Sequence, residues 1–158
     1  MGLRKFSRKP NQLLILQLYC KQMINFSFDT NGFRDSHERL RENVNNIGGS
    51  ELAKFIAETL RFEGFQPEEV FSEDFGWAFY ATREGSQYFC TTSVEPVAPV
   101  DGGSLELYAN LSIEKQHSFI DRLRGRNKMT QNDAAARVIF ESLKNHTDVK
   151  NLASPECG

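Results

Sequence analysis

Residues that mark metal sites, disulfides and membrane spans are scarce in this sequence of 158 residues. Cysteine occurs only at Cys20, Cys90 and Cys157, so the closely spaced ligand pairs of structural zinc sites are missing. Three widely spaced cysteines also indicate no disulfide framework, which favours a reducing, cytoplasmic location. The apolar run Leu13–Tyr19 is far shorter than the roughly 20 residues of a membrane-spanning helix. We therefore expect no metal site and no stable membrane insertion.

Patterns that indicate catalysis or cofactor binding are equally scarce. Neither the phosphate-binding loop nor the dinucleotide-binding glycine pattern occurs, so we expect no cofactor. The histidines His37, His117 and His146 lie in polar contexts and form no H-E-x-x-H pattern. Cys90 lies within a strand pattern, where a lone cysteine usually acts as a small buried hydrophobic residue. We assign no catalytic residue, and the sequence favours a protein that is not an enzyme.

Charge is unevenly distributed along the chain, although the formal net charge is only −2. Residues 1–22 contain five basic residues and no acidic residue, whereas the other 136 residues hold 14 basic and 21 acidic ones. The second part therefore carries −7 and is a poor candidate for nucleic-acid binding, which depends on phosphate neutralisation by clustered Lys and Arg. Such an acidic domain is a plausible partner for a basic protein surface.

The basic segment 1–22 has three interpretations that the sequence leaves open. It could be a short amphipathic helix that touches a membrane or packs on the domain, or an atypical cleaved signal. It could also be an upstream extension, with the natural start at Met23, and the abrupt change of charge favours this third interpretation. The remainder is predicted to be a single α+β domain over residues 23–152, followed by a polar tail over residues 153–158.

Alternating apolar and polar residues predict the strands of this domain. The predicted strands are Ile24–Asp29, a short one at Val70–Phe71, Gly76–Arg83, Gln87–Val94 and Leu105–Glu114. Glu84-Gly85-Ser86 predicts a tight hairpin turn between the two central strands. Within Gly76–Arg83, Trp77 and Phe79 are expected to face the core.

Apolar stripes at helical spacing predict the helices. One runs from a Ser50 N-cap to Gly64, and another includes Ala135, Ile139 and Leu143. A helical turn at residues 36–43 and a short helix at residues 119–124 complete the set. This order predicts a two-layer α+β sandwich, with an antiparallel sheet of four to five strands and about three helices mainly on one face. Its other face, with Tyr80, Tyr108 and Glu106, is expected to be either solvated or a binding surface.

The string Glu73–Trp77 (E-D-F-G-W) precedes the predicted hairpin and the terminal helices. With that element order, it resembles uncharacterised small bacterial α+β proteins that carry an E-D-x-G-W segment. The resemblance covers residues 50–150 and implies the α+β class. It implies no activity, so no functional residues follow from it.

Two charged segments are candidate binding sites. The first is an acidic run with neighbouring aromatic residues, expected to contact a basic protein partner: Glu68, Glu69, Phe71, Glu73, Asp74 and Phe75. The second is a basic patch for an anion or an acidic partner, which could also meet the acidic run of a second copy in a homodimer: Arg122, Arg124, Arg126 and Lys128.

The acidic run favours a non-enzymatic interaction domain, such as an inhibitor or immunity-type protein that masks a basic partner. The alternative is a small enzyme or ligand-binding domain with a pocket between sheet and helices. In that alternative, Glu73, Asp74 and His117 would act together, since paired carboxylates can divide acid and base roles.

Overall fold

The structure, a computed structural model, describes residues 23–98, 105–117, 123–124 and 129–157, and the elements within these ranges include three helices and one antiparallel sheet. The basic segment 1–22 lies outside the described residues, as does most of the predicted helix at 119–124. The elements in chain order are β1 (Met23–Thr30), α1 (His37–Arg41), α2 (Ser50–Phe62), β2 (Gln66–Pro67), β3 (Phe71–Glu73), β4 (Gly76–Arg83), β5 (Ser86–Val97), β6 (Glu106–Gln116), α3 (Ala134–Lys144), β7 (Val149–Lys150) and β8 (Glu156–Cys157).

Four long strands form the centre of the sheet in the order β4-β5-β6-β1. Both edges are interrupted: β2 and β3 pair with successive parts of β4, and β7 and β8 pair with opposite ends of β1. In all, the sheet has eight strands, four of them only two or three residues long, and it is strongly curled into a half-barrel. The long β5–β6 hairpin pairs over eleven consecutive positions, a length over which the natural strand twist accumulates.

The prediction of a two-layer sandwich with four to five strands is therefore wrong. The long strands and β3 are where the alternation placed them, but β2, β7 and β8 contain two residues each. A two-residue strand shows no alternation, and it forms only because a long neighbouring strand offers unpaired backbone groups. One of these short strands, β8, lies within segment 153–158 and pairs with Ile24 and Asn25.

The sheet has two unlike faces. The first face carries the core, in which strand residues such as Phe26, Trp77 and Leu111 pack with Ile56 of α2 and Ile139 of α3. Trp77 is only 1% exposed and Phe79 is fully buried, which confirms the orientation predicted from the alternation. The second face consists of the intervening residues. Among the described residues, no helix has both the length and the apolar content that a membrane span requires.

The N-terminus of α2 is capped by a residue from a distant part of the chain. Asp35 accepts hydrogen bonds from the backbone amides of Gly49, Ser50 and Glu51 at 2.8–2.9 Å. Gly49 is the N-cap residue and contributes no side-chain bond, so the predicted Ser50 cap is wrong. The Ser50 hydroxyl instead accepts from Nε of Arg39 at 2.8 Å. A carboxylate at this position also complements the helix dipole.

Candidate functional site

The E-D-F-G-W segment forms the tight turn between β3 and β4. The buried Asn43 side chain donates to the carbonyl oxygens of Glu73 at 2.7 Å and Gly76 at 2.9 Å. Its own oxygen accepts from the amides of Asn45 and Ile47 at 3.0 and 3.2 Å. Asn43 therefore joins this turn to the loop that precedes α2, and leaves the buried backbone groups paired.

Gly76 is required at this turn for two reasons. Its φ of +144° is a backbone conformation that residues with a side chain rarely adopt. In addition, a Cβ at this position would overlap the carbonyl oxygen of Thr92 on β5. The next residue, Trp77, donates from Nε1 to the Ile47 carbonyl at 2.9 Å and lies under the guanidinium of Arg39, 4.1 Å from the ring centre. The segment thus has a structural role that accounts for its glycine and tryptophan.

The second face of the sheet is acidic. Directly opposed residues of adjacent strands share a face, so the register identifies the members of this face. Its strand residues include one basic side chain, Lys150, and six acidic ones: Asp29, Glu73, Glu95, Glu106, Glu114 and Glu156. None of the six takes part in the four ion pairs that the described residues form. The described strand residues of this face therefore carry a formal charge of −5.

An aromatic row made of Phe71, Tyr80 and Phe89 crosses three strands of the second face. Phe71 stacks on Tyr80 with ring centres 6.0 Å apart, and Tyr80 contacts Phe89 at 4.9 Å. All three rings are partly exposed, and none belongs to the hydrophobic core. Phe89 is directly opposite Glu114 on β6, so the row ends beside a carboxylate. Rings held in this way can contact a partner without losing much side-chain entropy.

The six residues predicted to bind a partner lie along one edge of this face. Phe71 belongs to the aromatic row and Glu73 pairs with Gly76, whereas Glu68 and Glu69 are exposed in the link between β2 and β3. Asp74 and Phe75 occupy the turn, and Phe75 is 49% exposed. The predicted contact residues did not include Tyr80, Phe89 and Glu114, although the sequence placed Tyr80 on the face expected to be either solvated or a binding surface. The alternation in β4, β5 and β6 indicates which face of the sheet each residue lies on. It does not indicate which of these residues are neighbours across strands.

The predicted basic patch falls mostly outside the described residues. Arg122, Arg126 and Lys128 lie there, and Arg124 is described as exposed. The anion site and the homodimer remain predictions.

His117 lies far from Glu73 and Asp74, the other two residues of the enzymatic alternative. Glu73 and Asp74 lie at the Gly76 end of β4, whereas His117 follows Gln116, which lies two strands across from Thr82 near the other end of β4. The six-residue separation along β4 corresponds to about 20 Å at roughly 3.3 Å per residue. No acid–base pair between these groups forms in this arrangement.

Cys90 and His146 both lie in surroundings that are typical of residues with a structural role. Cys90 is fully buried in the core, and its burial raises the pKa of the thiol, which keeps it protonated and unreactive at neutral pH. His146 packs against the rings of Phe33 and Phe55, with centres 4.8 and 4.9 Å away. Its Nδ1 accepts from the backbone amide of Asp148 at 3.2 Å.

A cleft of about 520 Å³ lies between the loop around α1 and the ends of β5 and β6. Its walls are mainly apolar, with Phe33, Leu40, Ile47 and Leu105 among the lining residues, and Arg34 lies at the same site. The guanidinium of Arg34 donates to the Leu105 carbonyl at 3.3 Å, which joins the two walls. This shape can hold a small apolar ligand.

Among the residues that the structure describes, no three His, Cys, Asp or Glu side chains are grouped as metal ligands. Comparisons of this chain with protein-family models, with curated proteins and with solved structures find no match.

Proposed function

We propose that this protein is an interaction domain, of the inhibitor or immunity type, that binds a basic protein through the second face of its sheet. The observation that carries the proposal is the composition of that face, with six acidic residues, one basic residue and a partly exposed aromatic row. Carboxylates steer a positively charged partner towards the face, and aromatic rings supply the contact area that interfaces concentrate at their centres.

The acidic edge extends this surface. Glu68 and Glu69 are exposed beside Phe71, and the half-exposed Phe75 lies at the end of the β3–β4 turn. An acidic surface of this kind masks a basic active site or nucleic-acid-binding surface by charge complementarity, which is how an inhibitor of such a partner acts.

Charge reversal on the surface tests the proposal. The full chain is used to isolate partners from its host, and the same experiment is done with the triple variant Glu73→Lys, Glu95→Lys, Glu106→Lys, which reverses three of the six acids of the face. The matched control, Glu58→Lys, Glu63→Lys, Glu141→Lys, makes the same change of charge at exposed positions of α2, its C-cap and α3, away from the second face. We expect a basic partner that the wild type and the control retain and the triple variant loses. Retention of every recovered partner by the triple variant would exclude this surface.

The cleft beside α1 supports a second candidate, a small-ligand-binding domain. In that case, the Leu105→Phe substitution at its half-exposed wall, which narrows the cleft and adds no second tryptophan, is expected to abolish binding of apolar carboxylates, detected by fluorescence of Trp77. Trp77 reports on the cleft because its indole bonds to the carbonyl of Ile47, which lines it. Unchanged fluorescence of the wild type with every such ligand would rule this candidate out.

A further inference from the structure

We infer that Tyr80, Phe89 and Glu114 form a subsite for an arginine side chain of the partner. This inference rests on the proposed function, because it identifies the group that the second face recognises. The three residues are consecutive members of one cross-strand row, in which Tyr80 pairs with Phe89 and Phe89 pairs with Glu114.

The geometry brings an aromatic surface and a carboxylate to the same point. Directly opposed residues of an antiparallel pair have Cβ atoms roughly 5 Å apart, so the Glu114 side chain lies next to the Phe89 ring. On the other side of Phe89, the Tyr80 ring is 4.9 Å away at an angle of 35°. A cation on the side of Phe89 that faces Glu114 can therefore contact this ring and reach the carboxylate without leaving the face, while Tyr80 supports the ring from the other side.

The carboxylate of Glu114 has no neutralising group among the described residues. Its neighbours on the same face are uncharged: Ser112 and Gln116 on β6, and Met23 opposite on β1. Lys115, the nearest basic residue in sequence, points to the other face, where its Nζ lies 5.8 Å from the centre of the Tyr88 ring. An incoming cation thus meets an acid that is half-buried and unpaired within the described structure.

The protein itself uses the same type of contact on its first face. Arg39 lies over Trp77, Arg83 lies over Phe65 and Lys115 lies over Tyr88, at 4.1 to 5.8 Å from the ring centres. Across the described residues, the aromatic row of the second face has no such cation. Within the described structure, the aromatic row and Glu114 are thus open to a cation from a partner.

Arginine fits this subsite better than lysine. The guanidinium group is planar, so it stacks on an aromatic ring while its edge donates two parallel hydrogen bonds to a carboxylate. An ammonium group is more strongly hydrated and offers neither the flat face nor the paired donors.

The test is a titration of the full chain, labelled with ¹⁵N, with a short lysine-rich peptide in which one position is Arg, Lys or citrulline. Citrulline keeps the shape of arginine without its charge. We expect the Arg peptide to shift the amide resonances around Phe89 and Glu114, and to bind about fivefold more tightly than the Lys peptide and about tenfold more tightly than the citrulline peptide.

Variants separate this subsite from general attraction by the acidic face. Glu114→Gln is expected to remove the preference for arginine, while Glu95→Gln, on the same face and away from the row, lowers the affinity for all three peptides equally. Phe89→Leu, checked for folding by circular dichroism, should also remove the preference. Equal binding of Arg and Lys peptides, or equal effects of both Gln variants, overturns the subsite but leaves the acidic face as a binding surface. Resonance shifts confined to other parts of the molecule overturn both proposals.

Discussion

Replacement of Gly76 by alanine is the sharpest test of the structure, because it adds one methyl group at a point where there is no room for it. Two costs add. A positive φ disfavours a residue with a side chain by about 1–2 kcal/mol. The new Cβ also overlaps the carbonyl oxygen of Thr92, so β4 must move away from β5. Thr92 is itself held by a buried bond from its hydroxyl to the Gly49 carbonyl at 2.7 Å. We expect a loss of at least ~3 kcal/mol in the free energy of unfolding.

Gly64→Ala is the matched control for this substitution. Gly64 also has a positive φ, +84°, but a Cβ there would meet no atom within 4 Å. Gly64→Ala should therefore lower the free energy of unfolding only by the cost of the positive φ, about 1 kcal/mol. Urea unfolding followed by the fluorescence of Trp77, the single tryptophan of the chain, and by circular dichroism measures both variants. A Gly76→Ala variant as stable as Gly64→Ala would refute the close approach of β5 to this turn.

Three further predictions concern stability. Asn43→Ala should lower the free energy of unfolding by about 3 kcal/mol in urea titrations, because it leaves buried carbonyl and amide groups unpaired; a loss below that of Asn45→Ala, which removes one exposed bond, would contradict this. Asp35→Ala should lower the free energy of unfolding by about 2 kcal/mol, because α2 loses its cap. In thermal melting, its helical circular dichroism should therefore be lost at a lower temperature than that of the wild type. Burial and Asp133 raise the pKa of Tyr88 to about 12 from 10.0, so the native state holds the phenol proton more tightly. The wild type should therefore lose stability relative to Tyr88→Phe as the pH rises from 10 to 12, but not below pH 10, and equal pH profiles for the two would exclude this effect.

The long elements could be predicted because each depends on residues close together in the chain. The alternation of Ile24, Phe26 and Phe28 matches β1. The turn predicted at Glu84-Gly85-Ser86 lies between β4 and β5, where Glu84 and Gly85 have positive φ values and Ser86 already begins β5. The apolar stripe of α2 matches its buried residues. In each case, the local pattern and the final environment agree.

The cap of α2 and the edges of the sheet could not be predicted in this way. Serine is a common N-cap residue, but the amides at the start of α2 bond to the carboxylate of Asp35, fifteen residues before Ser50. The two-residue strands β2, β7 and β8 depend on the backbone groups of β4 and β1, and their own sequences contain no periodic signal.

The sequence by itself determined the charge of this protein, the positions of its long strands and the side of each strand that enters the core. Charge and alternation are properties of single residues and their immediate neighbours, so they can be read without the fold. Only the tertiary structure decided that Asn43 holds the Glu73–Trp77 turn, and that Glu114 lies beside Phe89 on the second face. These contacts join parts of the chain that are 25 to 33 residues apart, and the strand register that places Glu114 beside Phe89 results from the packing of the whole sheet.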